Sequence, residues 1–515
     1  MSWEPEVAEL RRREALAREL GGPDKVRRQN EAGKLTVRER IAALLDPGSF
    51  HELGALAGRA SYGPDGALSG FSPTNFLFGR GRIAGRPVVV GGDDFTVRGG
   101  AADAAIWEKQ VMAEQMACEL RLPILRLIDG TGGGGSVKSL ESSGRTYVPF
   151  NPGWEWVVQN LATVPVVALA LGPVAGLGAA RVVSSHYSLM VKDLAQVFIA
   201  GPPVVAQLGE HRTKEELGGS AIHSRNGVID DEVASEAEAF ARARRFLSYL
   251  PSSVYELPAA SPEADPVDRR ADWLIGAVPR ERRKVYKMRP IIEAVVDAGS
   301  FFEIGRHFGR SAITGLGRLG GWPVAVLAND PYIYGGGWTA DAAQKVTRFI
   351  DLAETFHLPV VHLVDNPGFV IGLAAEQSAA IRHGARALAA VYQARVPWCS
   401  VIVRKAFGVA GAAHQNAARF HYRYAWPSAE WGSLPLEGGI EVAYRAELAA
   451  AADPVALRAQ IDQRLSQVRS PLRTAEAFWV EEIIDPRDTR PLLCEFARLA
   501  APLRKPGPSA FPLRP

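Results

Sequence analysis

The chain has 515 residues, 47% of them hydrophobic, so it is long enough to bury more than one core. Its 59 basic and 56 acidic residues leave a net charge of +3, so no strong field selects nucleic acid or a membrane surface. Three widely spaced cysteines form neither a disulfide framework nor a zinc ribbon, and the longest apolar runs have the length of strands. We expect a cytoplasmic protein with no structural metal and no nucleic-acid or membrane partner.

The first half alternates predicted strands and helices. An amphipathic helix is predicted over residues 3–20, and Thr36-Val-Arg-Glu39 resembles a capping box before a second short helix. Apolar runs at residues 87–90, 123–128 and 165–171 predict buried strands, with a helix over residues 102–119 between the first two. This order is typical of βαβ units and predicts an α/β fold.

The second half repeats this order. Strands are predicted at residues 324–328, 359–364 and 401–403, with a helix over 340–356, and the segment 252–289, rich in Pro, Asp and Arg, is interpreted as a linker. Short motifs also recur. The three repeated pairs are Asp46-Pro-Gly-Ser-Phe-His-Glu52 with Asp297-Ala-Gly-Ser-Phe-Phe-Glu303, Gly81-Arg-Ile-Ala-Gly-Arg-Pro87 with Gly317-Arg-Leu-Gly-Gly-Trp-Pro323, and the runs ending at Asp129 and Asp365.

The two copies of each motif are separated along the chain by far more than the roughly 20 to 50 residues of a solenoid unit. We therefore predict two domains of one fold, at residues 1–260 and 261–515. A site built from both would have two related halves.

A glycine run follows the predicted strand 123–128. It is not a P-loop, because Ser136 and Val137 separate its last glycine from Lys138. It matches the dinucleotide pattern Gly-x-Gly-x-x-Gly, but the acid that should end a second strand, Glu155, stands between two tryptophans. The favoured interpretation is a glycine turn that packs against another group.

Two further glycine turns stand at equivalent places. Gly176-Leu-Gly178 follows the strand 165–171, and Gly408-Val-Ala410 follows the strand 401–403; each leads into a run of small residues. The free N–H groups of a helix start can hold a developing oxyanion. Close helix–sheet packing would explain a single such turn equally well, but two copies favour a pair of oxyanion holes.

Familiar catalytic motifs are missing from the sequence. There is no Gly-x-Ser-x-Gly elbow, no His-Glu-x-x-His zinc motif and no clustered carboxylate pair, and the ten histidines are dispersed. Any chemistry therefore depends on backbone donors and on a cofactor that carries the reactive group.

The chain resembles the carboxyltransferase (β) subunit of biotin-dependent acyl-CoA carboxylases, the propionyl-CoA and methylcrotonyl-CoA carboxylase family, over nearly its full length. The matching stretches begin at Lys34 (Lys-Leu-Thr-Val-Arg-Glu-Arg-Ile), Asp94 (Asp-Phe-Thr-Val-Arg-Gly-Gly), Met190 (Met-Val-Lys-Asp), Phe198 (Phe-Ile-Ala-Gly-Pro-Pro), Glu216 (Glu-Leu-Gly-Gly), Asp365 (Asp-Asn-Pro-Gly-Phe), Ile381 (Ile-Arg-His-Gly-Ala) and Ala425 (Ala-Trp-Pro-Ser-Ala-Glu).

This resemblance implies two tandem crotonase-like (ClpP-superfamily) domains and transfer of a carboxyl group from carboxybiotin to an acyl-CoA. Each active site would lie between the N-domain of one subunit and the C-domain of another, in a dimer at least and by resemblance a hexamer. The sequence lacks the Ala-Met-Lys-Met biotin acceptor, so the resemblance implies a separate biotin carboxylase and biotin carboxyl carrier subunit.

The predicted site follows from the turns and the resemblance together. The catalytic residues are Gly176, Leu177, Gly178, Gly408, Val409 and Ala410, and the substrate-binding residues are Gly132, Gly133, Gly134, Gly411 and Ala412. The chain departs from the family at Leu177, where glycine is usual, and at Val409-Ala410, where Gly-Ala or Ala-Gly is usual.

Ala412 matches the family position that tunes acyl length and carries an Asp or a bulky aliphatic residue. Alanine there predicts tolerance for acyl groups longer than propionyl, unless a large residue such as Trp154 or Trp156 fills the space. Two other functions stay open from the sequence: decarboxylation of a malonyl-type CoA and a non-catalytic role in assembly.

Overall fold

A computed structural model describes residues 2–101, 104–130, 141, 144–262, 265–416, 422–466 and 468–515. The chain divides into two compact units, Met1–Glu256 with Pro512–Pro515, and Leu257–Phe511. Each unit is described by itself.

The first unit is built on a seven-stranded sheet with the strand order β1-β4-β5-β6-β7-β9-β11. Its strands are β1 (His51–Leu53), β2 (Gly58–Tyr62), β3 (Leu68–Pro73), β4 (Phe76–Ile83), β5 (Arg86–Asp93), β6 (Ile124–Ile128), β7 (Val166–Ala170), β8 (Pro173–Ala175), β9 (Tyr187–Val191), β10 (Gln196–Phe198) and β11 (Asp231–Val233). Its helices are α1 (Glu4–Arg18), α2 (Pro23–Glu31), α3 (Val37–Leu44), α4 (Trp107–Leu120), α5 (Trp154–Asn160), α6 (Leu177–Val183), α7 (Pro202–Val205), α8 (Lys214–Gly218), α9 (Ser220–His223) and α10 (Glu236–Leu247).

The first strands of this sheet pair antiparallel and the later ones, from β5 to β11, pair parallel. Every residue of β6, β7 and β9 is buried. Parallel strands are covered on both faces, which is why they appear in the sequence as continuous apolar runs.

The second unit repeats the pattern with the order β12-β13-β14-β15-β16-β17-β19, and β18 pairs with β16. Its strands are β12 (Phe302–Ile304), β13 (Ala312–Leu319), β14 (Trp322–Asn329), β15 (Val360–Asn366), β16 (Trp398–Phe407), β17 (Tyr422–Ala425), β18 (Glu430–Gly432) and β19 (Glu482–Ile483). Its helices are α11 (Met288–Val295), α12 (Ala340–Thr355), α13 (Leu373–Gln377), α14 (Ala380–Gln393), α15 (Gly408–Ala412), α16 (Leu436–Ala443), α17 (Arg445–Ala450), α18 (Pro454–Ser466), α19 (Pro471–Glu476) and α20 (Thr489–Ala500).

The repeated sequence motifs have the same structural role in both units. Asp46 accepts a hydrogen bond from the N–H of Gly85 at 2.8 Å, and Asp297 accepts one from Gly321 at 2.7 Å. In each unit a carboxylate thus holds the hairpin turn between two sheet strands, because turn N–H groups need an acceptor outside the sheet. A second pair of equivalent contacts is the ion pairs Arg38–Glu52 at 2.8 Å and Arg289–Glu303 at 2.6 Å.

Most predicted elements are present, and Thr36 forms the full capping box with Glu39 at the start of α3. The predicted helix over 102–119 is wrong at its start, because α4 begins only at Trp107. The residue before it, Ile106, has extended backbone (φ −111°, ψ 102°), so the regular helix cannot begin earlier.

The linker interpretation of residues 252–289 is wrong for most of that segment. Leu274 and Tyr286 are buried in the core of the second unit, packed with the interior faces of its sheet. Arg404 donates to the carbonyl of Lys284 at 2.8 Å and to that of Arg282, so this polar stretch is tied to the fold. Its composition is typical of a linker, but its backbone carbonyls are used as acceptors.

Candidate functional site

The first turn, Gly176-Leu-Gly178, lies between the short strand β8 and helix α6. Gly176 has φ 58° and ψ −124°, a conformation that only glycine adopts readily. Its N–H donates to the carbonyl of Phe198 at 3.3 Å, and its carbonyl accepts from the N–H of Ala180 at 3.0 Å. The N–H groups of Leu177 and Gly178 stand in the first helical turn, where the helix itself supplies no acceptor.

The second turn, Gly408-Val-Ala410, follows β16 directly and begins helix α15. Gly408 has φ 59°, close to the value at Gly176. Val409 is 55% exposed, so its branched side chain lies largely at the surface of the unit and does not crowd the interior. The turn is held from behind, because the Asn366 amide donates to the carbonyl of Ala410 at 2.9 Å.

Small residues next to these turns are required by close packing. A Cβ at Gly411 would lie 2.7 Å from the carbonyl carbon of Ala406, at the end of β16. A Cβ at Gly172, just after β7, would lie 2.0 Å from a carboxylate oxygen of Asp129. Close packing therefore explains Gly411 and Gly172, while the φ values explain Gly176 and Gly408.

A cavity of about 360 Å³ opens beside the second turn. Gly408, Gly411 and Ala412 lie on its lining, and two tryptophans, Trp431 and Trp479, also border it. The sequence interpretation missed these two tryptophans. They come from β18 and from the segment after α19, and only the fold brings them to Ala412. The other lining residues are Ile402, Ala406, His414, Arg423, Gly432, Thr474 and Val480.

The remaining predicted substrate residues, Gly132, Gly133 and Gly134, lie outside the described residues. The start of their run is described: a Cβ at Gly130 would lie 2.8 Å from the Cα of Gly100. The chain after β6 therefore passes directly against the positive-φ turn Arg98–Gly100. This contact supports the interpretation of a glycine turn that packs against another group.

The first unit places a buried charge network behind this strand end. Asp129 forms ion pairs with Lys34 and with Arg40, both at 2.7 Å, and Arg40 also binds Glu236 at 2.6 Å. Burial lowers the pKa of Lys34, although the carboxylate of Asp129 opposes that shift. The network joins α3, β6 and α10, elements far apart in the sequence.

The second unit uses different partners at the equivalent carboxylate. Asp365 accepts from the hydroxyl of Tyr286 at 2.8 Å and from the N–H of Lys405 at 3.2 Å, and the Lys405 Nζ is 3.7 Å away. Burial raises the pKa of Asp365, since the positive charge of Lys405 only partly offsets the loss of water.

Two histidines near the second turn in sequence differ in their surroundings. His414 is buried, and its Nδ1 lies 2.7 Å from the carbonyl of Gly411, a contact that ties it to α15. His383 is half-buried in α14.

In the described ranges, no group of three or more His, Cys, Asp or Glu residues is arranged to hold a metal ion. No helix within those ranges is long and apolar enough to cross a membrane.

Comparisons with known proteins agree with this architecture. The carboxyl transferase domain model matches residues 28–507. The chain is 34% identical to the carboxyltransferase subunit of propionyl-CoA carboxylase from Haloferax mediterranei, over 99% of this chain and 98% of that protein. It is 33% identical to the methylmalonyl-CoA carboxyltransferase 12S subunit of Propionibacterium freudenreichii subsp. shermanii, over 99% and 96% of the two chains.

Solved structures give the same result for the fold. The crystal structure of transcarboxylase 12S, described as a hexamer assembly with hydrolysed methylmalonyl-CoA bound, superposes with a TM-score of 0.86 at 32% identity over 99% of each chain. A single-chain, multi-domain long-chain acyl-CoA carboxylase gives a TM-score of 0.81 at 28% identity, over 95% of this chain and 48% of that chain. The predicted α/β fold with two crotonase-like domains is confirmed. This chain belongs to the carboxyl transferase domain family and is a carboxyltransferase of the biotin-dependent acyl-CoA carboxylases.

Proposed function

We propose that this chain moves a carboxyl group from carboxybiotin, held on a separate carrier subunit, to the α carbon (or vinylogous γ carbon) of an acyl-CoA. The observation that carries the proposal is the duplicated turn. Gly176 and Gly408 have nearly the same positive φ, 58° and 59°, and each directly follows a strand at the start of a helix.

Two turns suit this chemistry because two carbonyl oxygens gain negative charge in it. Removal of the proton α to a thioester leaves an enolate oxygen, and loss of the carboxyl group leaves charge on the ureido oxygen of the donor. The side chains of Leu177, Val409 and Ala410 carry no polar atom, so the main-chain N–H groups at these positions are the donors. One such donor contributes about 10²- to 10³-fold in rate.

The cavity beside the second turn supports a substrate-binding role for Gly411 and Ala412. It is bordered by Trp431 and Trp479, with Gly408, Gly411 and Ala412 on the side of the turn, which fits an apolar acyl group close to the N–H groups of the turn. Carboxybiotin supplies the carboxyl group when its carrier docks. The chain's own residues bind the acyl-CoA, hold the developing oxyanion and exclude water.

We also propose that the active form is an oligomer, at least a dimer and by similarity to transcarboxylase 12S a hexamer. Half-sites on duplicated domains need a complement, which a second copy supplies. Light scattering on the active protein measures this directly, and a monodisperse active monomer would contradict the proposal.

One assay separates the favoured function from its two rivals. Purified protein is incubated with methylmalonyl-CoA or malonyl-CoA, with and without free biotin, and decarboxylated CoA product is measured. Turnover that requires biotin supports the carboxyltransferase. Turnover without biotin indicates a decarboxylase, and no turnover together with no CoA binding indicates an assembly subunit.

A further inference from the structure

A second cavity, of about 400 Å³, lies in the second unit at the amino ends of strands β15 and β16. Its lining comes from three places in the chain. The end of helix α12 supplies Glu354, residues 395–397 come from the segment just before β16, and residues 503–509 come from the segment after helix α20. The cavity has the size of a site for a small molecule.

This cavity is separate from the one beside the second turn. Residues 395–397 lead directly into β16, whereas Gly408 follows the other end of that strand. Strand β16 has ten residues, each of which advances about 3.3 Å, so about 30 Å lies between its two ends. Among the described residues, the two cavities share no lining residue. A ligand of this cavity would therefore not occupy the proposed acyl site.

Arg504 is the buried charge of this cavity. It is 8% exposed, and its guanidinium donates to the carbonyls of Ala501 at 3.1 Å and Pro258 at 3.2 Å. The guanidinium carbon also lies 5.4 Å from the centroid of the Trp322 ring. All of these partners are neutral, and no carboxylate of the described residues pairs with Arg504. Burial lowers the pKa of Arg504, and no neighbouring acid opposes that shift.

Other buried arginines of the chain have the partner that Arg504 lacks. Three of them bind a carboxylate within 2.8 Å, in the pairs Arg40–Asp129, Arg126–Glu114 and Arg490–Asp297. A buried cation needs such a partner because it has lost its water. Only two of the five N–H donors of Arg504 have carbonyl acceptors, so donors remain for an acceptor that enters the cavity.

Two further cations border the same cavity. Arg395 and Lys505 are both exposed, and neither side chain has a hydrogen bond or ion pair with a described residue. The one carboxylate on the lining, Glu354, is already engaged, because it accepts from the main-chain N–H groups of Arg395 at 2.7 Å and Val396 at 3.1 Å. It thereby holds the segment that carries Arg395 against helix α12. Three cations and one carboxylate leave this cavity positively charged.

We propose that this cavity binds the phosphate or pyrophosphate group of a small molecule, at a site separate from the acyl-CoA site. The planar fork of a guanidinium matches two oxygens of a phosphate, and a lysine adds a point charge. Arg504 binds the anion from the buried side, and Arg395 and Lys505 bind it from the rim. A multiply charged anion supplies the counter-charge that the fold does not give to Arg504.

The test is calorimetric titration of the full-length protein with inorganic phosphate and with pyrophosphate, at an ionic strength kept constant with sodium chloride. We expect pyrophosphate to bind at one site per chain with a Kd below about 1 mM, the affinity that a few charge-assisted hydrogen bonds give. Pyrophosphate should also raise the Tm of the protein, because a ligand that binds only the folded state stabilises it. Malonate serves as the carboxylate probe and should bind more weakly.

Three variants locate the binding. Arg504→Met should raise the Kd for pyrophosphate at least tenfold, since it removes the desolvated charge. Arg395→Met and Lys505→Met change exposed side chains that the fold does not use, so they stay informative if Arg504→Met does not fold, and each should raise the Kd about two- to fivefold. The matched control is Lys287→Met, an exposed lysine of the same unit that is not on the cavity lining, and its Kd should equal that of the native protein.

Each other outcome overturns the inference. Absence of pyrophosphate binding, or binding that Lys287→Met weakens as much as Lys505→Met does, would leave only a general attraction to surface charge. Tighter binding of malonate would assign the cavity to a carboxylate. A matching loss of affinity for CoA in Arg395→Met and Lys505→Met would make the cavity part of the acyl-CoA site, whereas unchanged CoA affinity supports a separate one.

Discussion

The two units of this chain agree where the fold needs support and differ where the parallel strands end. Both use an aspartate to hold a hairpin turn, an arginine–glutamate pair beside it, and a buried lysine that donates to a backbone carbonyl, Lys109 to Gly54 at 3.0 Å and Lys345 to Ala312 at 2.8 Å. The strand ends differ: Asp93 stands at the position of Asn329, and Asp129 binds two cations where Asp365 binds a tyrosine and, at 3.7 Å, one lysine.

In a duplicated protein, positions where the two halves differ are candidates for chemistry. Ligands of α/β sheets bind outside the carboxyl ends of the strands. Equivalent residues that support turns are the same in both halves, while the residues at the strand ends make different contacts in each half.

The largest difference is expected between Asp129→Asn and Asp365→Asn. Removal of the Asp129 charge leaves the buried Lys34 without its carboxylate partner and leaves Arg40 paired with Glu236 alone, which costs about 3–5 kcal/mol. In Asp365→Asn the new amide oxygen still accepts from Tyr286, and the one nearby cation, Lys405, is 3.7 Å away and only partly buried. Burial already disfavours the charge of Asp365, so the expected cost is about 1 kcal/mol. Calorimetric unfolding of both variants measures the two losses. Equal losses would show that the two carboxylates have equivalent roles.

Alanine at either turn glycine is expected to lower kcat about 10²- to 10³-fold, because a Cβ at positive φ displaces the donor N–H groups. Gly408→Ala is the cleaner test, since the added Cβ would be 3.5 Å from its nearest neighbour, the carbonyl oxygen of Ser433. The matched control is Gly66→Ala, with φ +77° and no atom within 4 Å of the new Cβ. If only one turn variant loses activity relative to this control, the reaction does not use both turns.

Lys109→Met is expected to raise stability at neutral pH and to lose that advantage in alkali. Burial lowers the pKa of Lys109 to about 8, below the ordinary value of about 10.4. The charged form therefore costs stability below pH 8, and the cost fades as the pH rises from 8 toward 10. Unfolding at pH 7 and pH 10 should show a relative change of roughly 2–3 kcal/mol.

The control for that variant is Lys192→Met, an exposed lysine of the same unit, which corrects for the general loss of a positive charge. A stability difference between native and Lys109→Met protein that is the same at both pH values would contradict the prediction. The repeated lysine would then be retained for its bond to Gly54 alone.

The smallest expected effect is on substrate choice. Ala412→Ile fills part of the cavity beside the second turn, so kcat/KM for octanoyl-CoA relative to propionyl-CoA should fall about tenfold, at about 0.8 kcal/mol for each excluded methylene. Ala449→Ile, on an exposed face of α17, is the matched control. Unchanged ratios for acetyl-, propionyl- and octanoyl-CoA would show that Ala412 does not contact the acyl chain.

The duplicated α/β plan and the place of both turns could be predicted from local patterns along the chain. Buried parallel strands appear as continuous apolar runs, a capping box is local, and glycine at positive φ depends mainly on its own backbone. The linker prediction for residues 252–289 is wrong because their contacts are long-range and not local. Their composition is polar, but Tyr286 and the carbonyls near it bind groups far along the chain, Asp365 and Arg404.

The side chains that surround each turn could not be predicted, because they depend on how the strands and helices pack. Trp431 and Trp479 border the cavity at Ala412, and Arg40 binds Asp129, although the residues in each contact are distant in sequence. Local patterns report backbone conformation and burial, because these depend on neighbouring residues. A charge or a cavity wall depends on contacts that arise only when strands and helices pack together, and no pattern along the chain records those contacts.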